Sequence, residues 1–227
     1  DVAPSRGLGD VYKRQEKEIA IHDYLVDNIN YVDTGDSSYN AYSALINGIA
    51  VCSGYTECFK TLLDMLGIEN ATISGEAGGQ QHIWNVVNLD NHWYHVDVTW
   101  DDPVGSSSDY IDHSYFNISA DDMALDHTWD RSRYSAYEKC GAKYSYCRYK
   151  KLPLISNVNQ LNKLIYSTVK NKTAHIEFTT TYNADLKEAI SRTGQQLSYS
   201  YKNIDRVNYT SVSYTHLRAH ETELHLV

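Results

Sequence analysis

Two runs of residues suited to β-strands, 82–89 and 92–100, are separated only by Asp90 and Asn91. Such a polar pair between two strand-like runs is typical of a two-residue hairpin turn. The turn fixes the register, because each residue of the first strand then has one defined partner on the second. This hairpin constrains the fold more than any other feature of the chain.

In this register Thr99 lies opposite His82 and Asp97 lies opposite Trp84, and all four side chains point to one face. Residues on diagonal positions of neighbouring strands are within reach of each other's side chains. The register therefore predicts that the imidazole of His82 lies beside the carboxylate of Asp97. His95 shares this face, one pair further along, and is a rival for any role as a base.

The segment before the hairpin predicts an amphipathic helix that begins near Cys52 and ends at Gly67, a residue typical of helix C-termini. Its apolar stripe consists of Tyr55, Cys58, Phe59, Leu62, Leu63 and Leu66. Cys58 lies within the stripe and is interpreted as a core residue. Cys52 lies at the helix start, where the unpaired N–H groups and the helix dipole favour a thiolate.

A thiolate at a helix start, together with a histidine and a carboxylate on adjacent strands, is the equipment of thiol-dependent acyl transfer. A metal-dependent hydrolase that uses His82, His95 and Asp97 is an alternative, although no H-E-x-x-H helix supports it. The prediction for the chain is that it uses neither a metal nor another cofactor.

Four stretches between residue 20 and about residue 140 resemble the transglutaminase-like superfamily of papain-like fold, particularly its bacterial members. They read YSALINGIAVCSGYT, HIWNVV, WYHVDVTWDDP and HSYFNISADDMALDHTWD. The resemblance implies that Cys52 is the nucleophile, His82 the general base and Asp97 the carboxylate that orients the histidine. Ile83 departs from the family pattern, which has a small residue at that position, but it faces away from the predicted site.

The resemblance also implies an α+β fold in which N-terminal helices, one with the catalytic cysteine at its N-terminus, pack on an antiparallel sheet. The implied function is a thiol-dependent amide hydrolase or acyltransferase acting on peptide or protein amides, with cell-wall material among the candidate substrates. Hydrolysis is favoured because nothing in the sequence marks a groove for an accepting lysine. The alternative is an inactive interaction or cell-surface binding module that has kept the fold.

The backbone N–H of Cys52 is the natural first donor to an oxyanion. Tyr42 is a candidate for the second donor, and an aromatic core anchor is the alternative interpretation of that residue. Trp84 is expected to form a wall of the substrate site or to pack beneath it.

The ends of the chain, residues 1–15 and 213–227, resemble translated adapter sequence joined to a gene fragment. The histidine pair in the second end, His216 and His220, is therefore not interpreted as a metal site. Residues 16–150 are predicted to form the catalytic domain, and residues 151–212 a small, truncated α+β module. Tyr199, Tyr201 and Tyr209 of that module are interpreted either as sheet core or as a glycan- or peptide-binding surface.

The formal net charge of −9 argues against a nucleic-acid-binding protein, which normally presents a basic face. No apolar run is long enough to span a membrane. By analogy with bacterial relatives an extracellular or cell-surface location is expected, with the cytoplasm as the alternative. The region that would carry a signal peptide is not observable in this sequence.

Several further residues allow more than one interpretation. Cys140 and Cys147 form a local disulfide or remain thiols. Asp101 and Asp102 either end a strand or bind calcium. Two adjacent carboxylates before a proline are more typical of a strand end. Two acidic clusters are interpreted as solvated surface: Asp121 with Asp122, and Asp126 with Asp130.

Overall fold

The computed structural model describes residues 8–102, 111–141, 143–171, 175–181, 188–189, 192, 207–208, 211–214 and 219–226. The chain divides into two compact units, Asp1–Tyr146 and Cys147–Val227. This division lies a few residues before the predicted boundary between the catalytic domain and the accessory module. The predicted domain limits and the foreign origin of the two ends stay predictions.

The first unit contains helix α1, Leu8–Asn28. Gln15, the last residue of the predicted foreign segment, is buried and donates a hydrogen bond of 2.6 Å to the carbonyl of Tyr144. Two short parallel strands follow, β1 (Asn30–Tyr31) and β2 (Ile49–Ala50).

Helix α2, Cys52–Met65, confirms the amphipathic helix predicted from the apolar stripe. Tyr55, Cys58, Phe59 and Leu63 are fully buried. Gly67 has a φ of +67°, a left-handed conformation that glycine adopts without strain, and the helix ends just before it. Burial of this apolar stripe fixes the orientation of α2 on the core, and with it the position of Cys52 at the N-terminus of the helix.

Five strands of the first unit form one antiparallel sheet in the order β6, β5, β4, β3, β7. The strands are β3 (Asn70–Ala77), β4 (Gln80–Leu89), β5 (His92–Val96), β6 (Phe116–Ile118) and β7 (His127–Thr128). Helix α2 packs against β3 and β4. The predicted α+β class, with the cysteine helix on an antiparallel sheet, is confirmed.

The predicted hairpin register is confirmed, because Asn85 pairs with Val96 and the pairing continues to the turn. Asp90 and Asn91 both have positive φ, as a two-residue hairpin turn of this kind requires. The prediction that the second strand reaches residue 100 is wrong. Strand β5 ends at Val96, and His82 pairs with Gly75 of β3 instead of with a residue of the second strand.

The strand ends at Val96 because the side chain of Asp97 folds back on its own backbone. Its Oδ1 accepts hydrogen bonds from the backbone N–H groups of Thr99 (3.1 Å) and Trp100 (3.2 Å). Aspartate commonly stabilises a tight turn in this way. The turn leaves Oδ2 of Asp97 directed at other side chains.

Strands β3 and β7 were not predicted from the sequence. Their pairing depends on Gly75, because a Cβ at this position would lie 2.1 Å from the carbonyl oxygen of Thr128. No side chain fits there without a shift of the backbone, so the glycine lets β7 approach β3. This approach places His127 next to the hairpin face.

The second unit contains strand β8 (Leu154–Ile155), helix α3 (Val158–Asn171) and strand β9 (His175–Thr181). Strand β9 pairs in parallel with β8 and antiparallel with Ala219–Leu226, which belongs to the predicted foreign end. Tyr199, Tyr201 and Tyr209 lie outside the described residues. Within the described parts of the chain, no helix combines the length and apolar content that a membrane span requires.

Candidate active site

Cys52 is the first residue of α2, and no side chain of the preceding residue, Val51, caps the helix. The N–H groups of the first turn are therefore available to an anion at this end of the helix. Cys52 is partly buried and lines a cavity of about 370 Å³ together with His82. Its thiol thus lies between a helix N-terminus and an imidazole, in an accessible cavity.

His82 and Asp97 are joined as the hairpin register predicted. The Nε2 of His82 lies 2.6 Å from Oδ2 of Asp97, and only 8% of the histidine side chain and 1% of the aspartate side chain are exposed. Because Nε2 is engaged by Asp97, the other ring nitrogen, Nδ1, is the one available to Cys52. The ring also stacks on Trp84, with centroids 6.0 Å apart and planes 19° from parallel.

The electrostatics of this group favour a protonated His82. Burial alone would lower its pKa, but the hydrogen bonds to Asp97 and to Cys52, and the charges of both groups, raise the pKa of His82 to about 9. Burial likewise disfavours the charged form of Asp97, yet hydrogen bonds from His127 and His82 hold its pKa below the ordinary value. The arrangement therefore favours an imidazolium at His82 beside the ionised carboxylate of Asp97.

Asp97 has a second imidazole partner that sequence reasoning missed. The Nε2 of His127 lies 3.0 Å from the same oxygen, Oδ2, that binds His82, and the Nδ1 of His127 lies 2.6 Å from Oδ1 of Asp126. The motif DHTWD contains this histidine, but nothing in its spacing indicates that β7 returns to the hairpin. Asp126 is thus not merely solvated surface, as the sequence suggested, because it anchors a fully buried ring.

His95, the predicted rival base, has a different environment. Its Nδ1 accepts a hydrogen bond of 2.9 Å from Nε1 of Trp84, so the ring is a neutral acceptor at that nitrogen. Burial, reinforced by the nearby charges of His127 and Arg131, lowers the pKa of His95 to about 3. The side chains of His82, His95 and Asp97 therefore do not meet as the set that the metal hypothesis requires.

Trp84 fulfils the expectation of packing beneath the site, because it is fully buried and contacts both His82 and His95. Tyr42 does not reach the cavity: its side chain is 69% exposed and is not among the residues of the cavity wall. The aromatic residue that does line the cavity is Tyr31. The complete wall consists of Tyr31, Cys52, Ala77, Gly78, Gln80, Gln81, His82, Thr99, Trp100 and Asp102.

Tyr31 was not predicted, and its position at the end of β1 carries no local motif. Burial, and after it the negative charge of Cys52, raises the pKa of the Tyr31 hydroxyl. Tyr31 and Cys52 line the same cavity. Tyr31 stacks on Tyr55, which fixes its ring against α2.

The two adjacent aspartates after the hairpin are engaged by protein groups. Asp101 is buried; its Oδ2 lies 3.0 Å from Nε2 of His22, and its Oδ1 accepts from the backbone N–H of Tyr115. Asp102 accepts a hydrogen bond from the hydroxyl of Tyr55. These bonds tie α1 and α2 to the turn that follows β5. The two aspartates therefore lie in this turn and not at the strand terminus, which is at Val96.

The four cysteines are all thiols in the structure. Cys58 is fully buried in the core, as predicted, and burial, together with the charge of Glu57, raises its pKa to about 12. Burial raises the pKa of Cys140 to about 11. Both thiols are therefore poor nucleophiles near neutral pH.

Residues 5–98 match the family model of the transglutaminase-like superfamily. The matching segment contains Cys52, His82 and Asp97. The resemblance seen in the sequence motifs is thereby confirmed at the level of the family.

Two solved structures show partial similarity to the chain. One is a candidate cysteine protease from Cytophaga hutchinsonii, with 21% identity over 39% of this chain and 35% of that chain and a TM-score of 0.34. The other is a TGase, with 13% identity over 68% of this chain and 42% of that chain and a TM-score of 0.34. The chain thus spans less than half the length of either. None of the curated proteins matches it.

Proposed function

We propose that the chain is a thiol-dependent amide hydrolase or acyltransferase that acts on peptide or protein amides through Cys52, His82 and Asp97. The observation that carries the proposal is the 2.6 Å bond between His82 and Asp97 beside a cysteine at a helix N-terminus, in one accessible cavity. These are the three groups, in the three positions, that acyl transfer through a thiol requires.

In the proposed reaction the sulfur of Cys52 attacks the carbonyl carbon of the amide, and the carbonyl oxygen becomes an oxyanion. His82 then gives its proton to the leaving amine, the C–N bond breaks, and a thioester to Cys52 remains. His82, now neutral, takes a proton from water, whose oxygen attacks the thioester and releases the acid and the thiolate. An amine in place of water would give transfer instead of hydrolysis.

The oxyanion needs hydrogen-bond donors in place before the reaction. The backbone N–H of Cys52 is one. For the second donor the hydroxyl of Tyr31 is favoured over the sequence-based candidate Tyr42, because Tyr31 lines the cavity whereas Tyr42 is largely exposed. Loss of one such donor typically costs about 10²–10³ in turnover. Tyr31→Phe should show a loss of this kind in kcat, and Tyr42→Phe is its matched control.

The experiment is hydrolysis of a set of peptide amides by the wild-type chain, Cys52→Ala and Cys58→Ala. Cys58 lies on the same helix but in the core, so it controls for removal of a thiol. The expected result is activity that iodoacetamide and Cys52→Ala abolish, and that Cys58→Ala and a chelator leave in place. Activity that survives in Cys52→Ala, or that a chelator removes, would overturn the proposal.

The inactive interaction module remains the competing function. It predicts that a peptide carrying an electrophile in place of the amide does not label Cys52 faster than a denatured thiol. Rapid labelling of Cys52 in the folded chain alone supports the enzyme. Mass spectrometry of the products, with and without an added primary amine, then distinguishes hydrolysis from transfer.

A further inference from the structure

Asp97 is a carboxylate that has been almost completely removed from water, with 1% of its side chain exposed. A buried carboxylate stays ionised only if hydrogen bonds and opposite charge replace its hydration. The proposed reaction removes part of this compensating charge, because His82 loses its positive charge when it protonates the leaving amine. At that moment Asp97 needs a second cation.

His127 is placed to be that cation. Both of its ring nitrogens face carboxylates, Nε2 at 3.0 Å from Asp97 and Nδ1 at 2.6 Å from Asp126. A ring that lies between two carboxylate oxygens donates at both nitrogens only when it is an imidazolium. Asp126 in turn accepts a hydrogen bond of 2.7 Å from the hydroxyl of Tyr115, and 40% of its side chain is exposed to solvent.

Aromatic rings surround His127. The ring centroids of Trp100, Trp84 and Tyr115 lie 4.6, 5.1 and 5.4 Å from that of the histidine. At such distances the electron-rich faces of aromatic rings can stabilise a cation. The surroundings therefore exclude water from the ring without leaving its charge uncompensated.

The titratable groups that face His127 come from three parts of the fold. They are Asp97, His82, His95, Tyr115 and Asp126. The two carboxylates favour the charged form of His127, whereas His82 disfavours it when protonated. Burial lowers the pKa of His127, but the bonds to Asp126 and Asp97 outweigh it, and the pKa is raised above its ordinary value.

We propose that His127 is a positioning residue, a permanently charged imidazolium that holds Asp97 ionised and aimed at His82 throughout the reaction. The result is a chain of alternating charges, from Cys52 through His82, Asp97 and His127 to Asp126. His127 touches neither the substrate nor the sulfur, and it acts through Asp97. The inference rests on the proposed function, since it assigns His127 a role in that same site.

The test is the pH profile of iodoacetamide alkylation at Cys52 in the wild-type chain, His82→Gln, His127→Gln and His95→Gln. Glutamine retains a donor near Nε2 of His127 but removes the charge. Removal of a nearby positive charge raises the pKa of every neighbouring group. In His127→Gln both the acid limb and the alkaline limb of the alkylation profile should therefore move up by about 1 pH unit. His95→Gln removes another buried histidine beside Trp84, and its limbs should stay in place.

A merely structural role predicts a lower rate with unmoved limbs, and that result would overturn the proposal. The failure of the proposed function looks different: Cys52 in the wild-type chain would then react like an ordinary thiol, with the same profile in His82→Gln. A normal wild-type profile with unmoved limbs in His127→Gln would leave the function standing and remove His127 from it.

A second measurement does not depend on whether His127→Gln folds. Nitrogen NMR of the wild-type chain should show both ring nitrogens of His127 protonated at pH 7.5. Asp126→Asn should lower the pH at which this ring titrates, whereas Asp130→Asn, which removes another exposed carboxylate four residues later, should not. A neutral His127 ring at pH 7.5 in the wild-type chain would contradict the proposal.

Discussion

Two histidines on the same sheet face, His82 and His95, have opposite chemistry. His82 lies at the cavity and contacts Asp97, and its pKa is raised to about 9. His95 lies away from the cavity wall and contacts Trp84 and Trp129, and its pKa is lowered to about 3. Both rings are nearly buried. Whether a buried histidine is a cation or a neutral acceptor is therefore decided by the carboxylate beside it, not by burial.

The largest effect is expected for Asp97→Asn, which removes the carboxylate that makes the environment of His82 different from that of His95. Replacing the carboxylate of a comparable triad by an amide costs about 10⁴ in kcat, and a loss of about 10³–10⁴ in kcat is expected here. The matched control is Asp101→Asn, a buried aspartate that binds His22 instead of His82. Steady-state kinetics on the best peptide amide measures both. An equal loss in the two variants would mean that only stability was affected.

The second-largest effect is expected when each of the two histidines is replaced and the alkylation rates of Cys52 are compared. His82→Gln removes the cation beside Cys52, so alkylation of Cys52 at pH 6 should fall at least about tenfold, since an ordinary thiol with a pKa near 8.5 is almost entirely protonated there. His95→Gln should change this rate by less than about threefold. Peptide mapping by mass spectrometry gives both rates. A larger effect for His95→Gln would restore His95 as the base.

The stability of the fold should depend on pH in opposite directions through the two residues. The folded pKa of His82 lies above the ordinary 6.5, so its contribution is complete below pH 6.5 and is lost as the pH rises towards 9. The folded pKa of His95 lies below 6.5, so the fold loses stability as the pH falls from 6.5 towards 3. Each unit of difference corresponds to about 1.4 kcal/mol.

Urea titrations across this range provide the check. The alkaline loss of free energy of unfolding should shrink in His82→Gln, and the acid loss should shrink in His95→Gln. Identical slopes in the wild-type chain and in both variants would show that the two environments do not differ as described.

The smallest effect is expected for Trp84→Phe, which keeps an aromatic ring between the two histidines. The variant loses the N–H that donates to Nδ1 of His95, and a buried acceptor without its donor costs about 1–3 kcal/mol. Thermal unfolding measures this cost. Alkylation of Cys52 should change less than about threefold, and a large drop would show that the indole itself acts in the site.

The sequence was sufficient wherever the pattern was local. The apolar stripe of α2 predicted the position of Cys52, and the Asp90-Asn91 turn predicted the meeting of His82 with Asp97. Both rest on spacing within about twenty residues. The same spacing placed His95 on the same face as His82, so the sequence alone could not decide which of the two histidines is the base.

The parts that were missed depend on distant contacts. Strand β7 joins the sheet only because Gly75 leaves room for Thr128, and it brings His127 to Asp97 from thirty residues away. Tyr31 reaches the cavity through the pairing of β1 with β2, which no local motif indicates. The end of β5 at Val96 depends on the side chain of Asp97, which turns its own backbone. Such features are decided by tertiary packing.

The most direct measurement is the pH dependence of alkylation at Cys52 in the wild-type chain, with Cys58 as the internal control. The predicted result is rapid labelling of Cys52 that stays nearly constant from pH 6 to 8, while Cys58, with a pKa of about 12, remains unlabelled. This would establish the pairing of Cys52 with a protonated His82. A rate at Cys52 that rises tenfold per pH unit up to about pH 8.5, as for an ordinary thiol, would contradict it.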